Sequence, residues 1–127
     1  DYLKKLGVTA IELMPAYEFE EFEPAKPIDE KHQYLYDALP SHKLNYWGYK
    51  KGYYFAPKAS YAIGDAQAAM KDMVSTLHKN GIEVIMQFYF PDEVKQGFIL
   101  DVIKYWVCEY HIDGPPCFCL TTRITNL

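Results

Sequence analysis

The chain has 127 residues, 13 Lys+Arg against 17 Asp+Glu for a formal net charge of -4, and half of it is hydrophobic. That composition excludes an intrinsically disordered chain, and mild acidity without a Lys/Arg cluster argues against nucleic acid as a partner. No apolar run approaches the roughly 18 residues of a membrane span, no basic-then-apolar leader opens the chain, and the length suits one domain.

Residues 2–6, Tyr-Leu-Lys-Lys-Leu, read as the last turn of a helix with Gly7 as its C-cap. Val8 to Met14 reads as a short buried strand of the parallel-sheet type, stopped by Pro15. From Tyr17 to about Ile63 no helical or alternating period persists. This stretch is rich in Pro, Tyr and acids, and long irregular segments of that kind are usually functional or disordered. Asp65 fits an N-cap, and Met70, Met73, Val74 and Leu77 then fall at helical spacing until Asn80-Gly81. Ile82 to Phe90 reads as a strand cut by Pro91, and Asp92 and Glu93 stand where acids favour a helix start. Phe98, Val102, Ile103, Trp106 and Val107 continue one apolar stripe, and Ile112-Asp113-Gly114 would begin a further strand. Such alternation means parallel strands with helical crossovers, in an open α/β sheet or a (β/α)8 barrel. Length alone favours the open sheet, because a complete barrel takes about 250 residues.

Aromatics stand out at 17%, with 12 tyrosines, and favour the flat, hydrogen-bonding surfaces of sugar or peptide sites. Cys108, Cys117 and Cys119 are odd in number and lack C-x-x-C spacing, which argues against a disulfide framework and a zinc site. Free thiols fit a reducing compartment and favour the cytoplasm, although the compartment stays open. The start at Asp1 points to a fragment or a processed piece.

Three blocks carry a resemblance. They are Tyr2-Leu-Lys-Lys-Leu-Gly-Val-Thr-Ala-Ile-Glu-Leu-Met-Pro15; Asn45-Tyr-Trp-Gly-Tyr49 with Gly52-Tyr-Tyr-Phe-Ala-Pro57 and Tyr61; and Lys104-Tyr-Trp-Val-Cys-Glu-Tyr-His-Ile-Asp-Gly114. Together they resemble glycoside hydrolase family 13, the α-amylase family, in its pullulanase, isoamylase and glycogen-debranching branch. The second block is the most specific. The resemblance implies an α/β fold, a partial (β/α)8 TIM barrel from roughly its first helix to the start of its fourth strand, over residues 1–114. It also implies an α-glucan partner such as starch, glycogen or pullulan. Barrel sites lie at the carboxyl ends of strands, so the loop after Pro15 and the segment after Phe90 should face the site. By the same carry-over Tyr49 stacks on a sugar ring, with Trp47 and Tyr46 beside it as substrate-binding residues. On the residues alone, packing of a long loop is the favoured role of these rings.

The catalytic parts depart from the family. Retaining glycosidases need a nucleophilic carboxylate and an acid/base carboxyl across the scissile bond. The family's Gly-Phe-Arg-x-Asp run should follow Asp113-Gly114, yet Pro116 stands in place of the Arg and Phe118 in place of the nucleophile. Gln87 replaces the Asp of the family's third strand, and Asp92 falls where its His would be. The subdomain that the family inserts after that strand, often with calcium, has room only for a turn between Pro91 and Phe98. The acid/base Glu belongs to a later strand. The expectation is an inactive chain with no catalytic residue, no metal and no cofactor.

Other groups offer no replacement. Glu12 is expected within a buried strand, Glu18, Glu20, Glu21 and Glu23 form a solvated acidic run, and Asp92 with Glu93 caps a helix. His32, His42, His78 and His111 lack metal-ligand spacing, and His78 and His111 sit near helix ends. Residues 115–127 leave the family pattern abruptly, either as a non-native tail (frame shift, early stop or artefact) or through real divergence. Gln87 and the missing subdomain lie upstream of that tail and favour degeneracy. Three readings follow: an inactive debranching-lineage barrel piece, a non-catalytic glucan-binding or scaffolding relative, and a small α/β domain of unrelated role whose resemblance is only ancestral. A half barrel exposes strand edges, so self-association is expected.

Overall fold

A computed structural model of the chain describes residues 1–24 and 42–115. One helical turn, α1 (Tyr2–Lys5), leads through Gly7 into strand β1 (Ala10–Leu13). The chain then makes β2 (Tyr17–Glu18), β3 (Phe22–Pro24), β4 (His42–Leu44) and β5 (Tyr53–Pro57), followed by a 3-10 turn at Ala59–Tyr61. Helix α2 (Ala66–Lys79), strand β6 (Glu83–Met86) and helix α3 (Gln96–Tyr110) complete the order.

β1 and β6 pair in parallel, from Ala10 opposite Glu83 to Leu13 opposite Met86. Gly114 adds a parallel bridge to Ile85 on the other side of β6, so the expected next strand is represented here by one bridge. This is an α/β fold. Among the described residues there is no closed barrel.

Asp65 caps α2 as expected, accepting from the backbone N–H of Gln67 at 2.9 Å and of Ala68 at 3.4 Å. Met70 and Val74 are buried and Leu77 packs against the core, whereas Met73 lies at the edge of the stripe and is partly exposed. The β6 ladder stops sooner than the apolar run implies, since its last bond is Gln87 N–H to the Leu13 carbonyl at 2.9 Å. Phe88 and Phe90 still alternate inward and are buried, which is why the sequence reads as one longer strand.

Two expectations need correction. Asp92 and Glu93 do not start α3. They lie in the turn that Val94 N–H closes on the Pro91 carbonyl at 3.0 Å, and Lys95 is the N-cap. The stretch from Tyr17 onward is not irregular where described, because β2 pairs antiparallel with β5 and β3 with β4. Strands of two to five residues, one pair broken by a register shift, leave no period for a sequence reading to detect. His32, the middle of that stretch and residues 116–127, with Cys117, Cys119, Pro116 and Phe118, lie outside the described residues.

The core is aromatic. Tyr17, Phe88 and Phe90 form successive stacks with centroids 5.9 Å apart and planes within 9°. Trp106 meets Phe88 edge-on at 6.0 Å and lies against Tyr110 at 4.6 Å with the rings tilted by 34°, and its indole N–H donates to the Tyr54 carbonyl at 2.6 Å. Many of the rings that composition alone would assign to a binding surface are spent here instead.

Candidate functional site

The second resemblance block folds over the carboxyl end of the β1–β6 pair. Asn45 builds the turn, its side-chain oxygen accepting from the N–H groups of Trp47 and Gly48, both at 3.1 Å. Gly48 sits at φ +74°, and a Cβ there would lie 2.7 Å from the buried Phe19 ring and 3.1 Å from Pro15. Both the backbone conformation and the close approach therefore require glycine.

Tyr17 fastens this turn to the strands. Its buried hydroxyl lies 2.8 Å from the Lys50 carbonyl, 3.3 Å from that of Gly48 and 3.4 Å from that of Tyr89, just past β6. Tyr54 donates to the same Tyr89 carbonyl at 2.9 Å. Burial pushes its phenol up to about 12, so it remains a donor at neutral pH.

The turn presents Tyr46, Trp47 and Tyr49 outward, 71%, 65% and 44% exposed. They share the turn, and Tyr49 reaches the strands: its hydroxyl donates to the Gln87 side-chain oxygen. Gln87 Nε2 in turn donates to Glu12 Oε1 at 2.6 Å. Glu12 is therefore not buried, as the strand reading expects, but exposed on the face of β1 opposite Ile11 and Leu13. The alternation of Ile, Glu and Leu was the available signal for that placement.

The acidic run also departs from a solvated face. Lys58, 5% exposed, contacts Glu18 at 2.8 Å and Glu21 at 3.2 Å and lies 4.8 Å above the Phe19 ring. Burial alone would raise the Glu18 carboxyl, but the Lys58 ammonium and the Ala59 N–H outweigh it and hold the carboxyl below its ordinary value. Burial works against the Lys58 charge too, and the two glutamates overcome it and raise its pKa. Lys58 N–H also bonds the Ala16 carbonyl at 2.8 Å, which ties β5 to the segment leaving β1. Glu20 stays exposed, its carboxylate accepting from Phe22 N–H at 3.2 Å.

At the opposite end of the strands, Asp113 accepts from Val84 N–H at 2.7 Å and lies 2.8 Å from His78 Nε2. The Val84 N–H has the largest effect, and with the help of His78 it outweighs burial and holds the Asp113 carboxyl below its ordinary value. His78 is thus tied to Asp113 as well as ending α2, and His111 caps α3 in the left-handed conformation at φ +58°. Among the described residues no group of three His, Cys, Asp or Glu is arranged to hold a metal.

Comparison with known proteins gives the geometry a family. The chain is 31% identical to isoamylase 1 of Arabidopsis thaliana, 30% to a GlgX homolog, a glycogen operon protein of Mycobacterium tuberculosis, and 28% to the pullulanase of Bacillus subtilis. Its relatives are the debranching branch of glycoside hydrolase family 13. Each match uses 89–90% of this chain but only 20–21% of the relative, so the chain spans about a fifth of the length of the relatives it matches. The isoamylase match extends over 166 residues, more than the 127 of the chain. That relative therefore carries residues inside the matched region that this family member lacks. No model of a known protein family matches the chain.

Proposed function

We propose that the chain is a piece of an α-glucan debranching hydrolase barrel, spanning 1–114, that lacks working catalytic residues. The observation that carries this reading is the turn at 45–50, the block most specific to the debranching branch, clamped by Tyr17 over the carboxyl end of parallel strands. Barrel enzymes keep their sites at that end. The parallel order β1, β6, Gly114 also follows the chain, as adjacent staves of a barrel wall would. The residues missing from the matched region fit loss of the subdomain after the third strand, where Pro91 to Lys95 now makes only a turn. Gln87, Pro116 and Phe118 remove the family's Asp, Arg and nucleophile, and neither Pro nor Phe can attack or hold a carboxylate.

A second reading, a glucan-binding or scaffolding relative, is favoured by one observation. Tyr46, Trp47 and Tyr49 remain outward on a turn built by specific hydrogen bonds. The apolar C–H face of a glucose unit packs on such rings. Calorimetric titration with maltoheptaose should detect binding that Tyr49→Ala weakens about tenfold, of the order that one lost stacking contact costs. Pullulan incubated with the chain should release no reducing sugar. Release that disappears on mutating a carboxylate would overturn the inactive reading, and absence of maltoheptaose binding would overturn the second. Among the described residues β1 pairs only with β6, so the proposed half barrel should self-associate. Light scattering that finds a monomer across a hundredfold concentration range would remove that expectation.

A further inference from the structure

Glu12 and Gln87 are 75 positions apart, and the β1–β6 register brings them together. Glu12 sits opposite Ile85, and Gln87 follows two residues later on the same face of the sheet. Their partner faces, Ile11 with Leu13 and Val84 with Met86, pack into the core, so the strands carrying the two polar groups are fixed from behind.

The direction of the hydrogen bonds is set by chemistry. An ionised carboxylate can only accept, so the Gln87 amide must turn its NH2 toward Glu12. Its carbonyl oxygen is then left facing Tyr49, whose hydroxyl donates to it. The Glu12 contact is short, at 2.6 Å. The result is a three-residue relay running from a rigid strand pair to the edge of an outward ring.

We propose that Glu12 and Gln87 are positioning residues that hold the Tyr49 ring ready for a glucose unit. This rests on the glucan-platform reading for the ligand, but not for the ordering of the ring. A stacking side chain that is already ordered avoids an entropic cost on binding, and the relay supplies that order from the strands rather than from the turn.

The test exploits the polarity of the relay in the full 127-residue chain. Gln87→Glu sets two carboxylates against each other and should weaken maltoheptaose binding about fivefold. Adding Glu12→Gln reverses the relay: the new amide donates to the new carboxylate, which still accepts from Tyr49. Binding should return. NMR relaxation of 13C-labelled tyrosine rings provides a ligand-free readout, in which Tyr49 should loosen in Gln87→Glu and recover in the swapped pair. Circular dichroism melts confirm that each variant is folded. Recovery in both readouts supports the proposal. Loss in Gln87→Glu without recovery in the swap overturns it, while maltoheptaose binding by the parent chain leaves the platform reading standing. If ring order follows the swap but no chain binds maltoheptaose, positioning of Tyr49 holds and the glucan reading falls. A Tyr49 ring that does not respond to Gln87→Glu overturns the positioning role.

Discussion

The half of the molecule formed by α2, β6 and α3 and the half formed by β2, β5 and the turn at 45–50 are held by different means. The first is organised by periodic burial: Met70 and Val74 on α2, Val84 and Met86 on β6, Val102, Trp106 and Tyr110 on α3. The second has few regular backbone ladders and depends on single side chains reaching backbone atoms, with Asn45, Tyr17, Glu18 and Lys58 each closing a particular gap. Periodic burial distributes stability over many residues. The second arrangement concentrates it at a few points, which is what a presented surface needs and also where it is vulnerable.

Substitutions can set the two halves apart. Trp106→Ala should have the largest effect, about 4 kcal/mol, because it empties the centre of the aromatic core and leaves the Tyr54 carbonyl without its indole donor. A urea titration followed by circular dichroism would measure it, and a loss under about 1 kcal/mol would deny the core its organising role. Gly48→Ala should cost about 2–3 kcal/mol, from the positive φ and the 2.7 Å approach to Phe19. Most of that cost should appear as local loosening, seen as faster amide exchange of residues 45–50 ahead of global unfolding.

Lys58→Ala should cost about 2 kcal/mol, below the figure for a fully buried pair because Glu18 and Glu21 can rehydrate. The same cluster sets a pH dependence. Glu18 and Asp113 are held below their ordinary values, so their contribution is present at neutral pH and is lost as pH falls through the acid range. The Lys58 pKa is raised, so its contribution persists into alkaline solution and is lost only as pH rises through that raised value. Urea midpoints should therefore be flat near neutrality and fall below about pH 4. Glu18→Gln should flatten part of that acid fall in the second half of the molecule, and Asp113→Asn part of it in the first. The smallest effect expected is a gain: His111→Gly should stabilise α3 by about 0.5–1 kcal/mol by relieving a left-handed cap, read as a higher urea midpoint.

The same contrast explains what could be read in the sequence. Helices of 14 and 15 residues give several turns of periodic signal, and Asp65 and Asn80-Gly81 mark the ends of one of them. The turn at Asn45-Tyr49 was legible by family resemblance alone. Nothing local announces that Tyr17 reaches it across 31 positions. Glu18 and Glu21 looked like solvent-facing acids because the lysine that gathers them is 37 or more positions away. Taking β1 as buried on both faces misplaces Glu12, although a glutamate between Ile11 and Leu13 already implies an opposite face. In the sequence Gln87 stands out only for the residue it replaces, and its partners Tyr49 and Glu12 emerge from the fold.

The chain's 2 tryptophans fall one in each half. Trp106 is sealed in the core, whereas Trp47 stands out in solvent on the presented turn. Their fluorescence should divide accordingly, with blue-shifted emission that soluble quenchers do not reach from the first and red-shifted, readily quenched emission from the second. The molecule thus carries its own pair of optical probes. Events at the turn and events in the core can be followed separately, without a label, in the same cuvette.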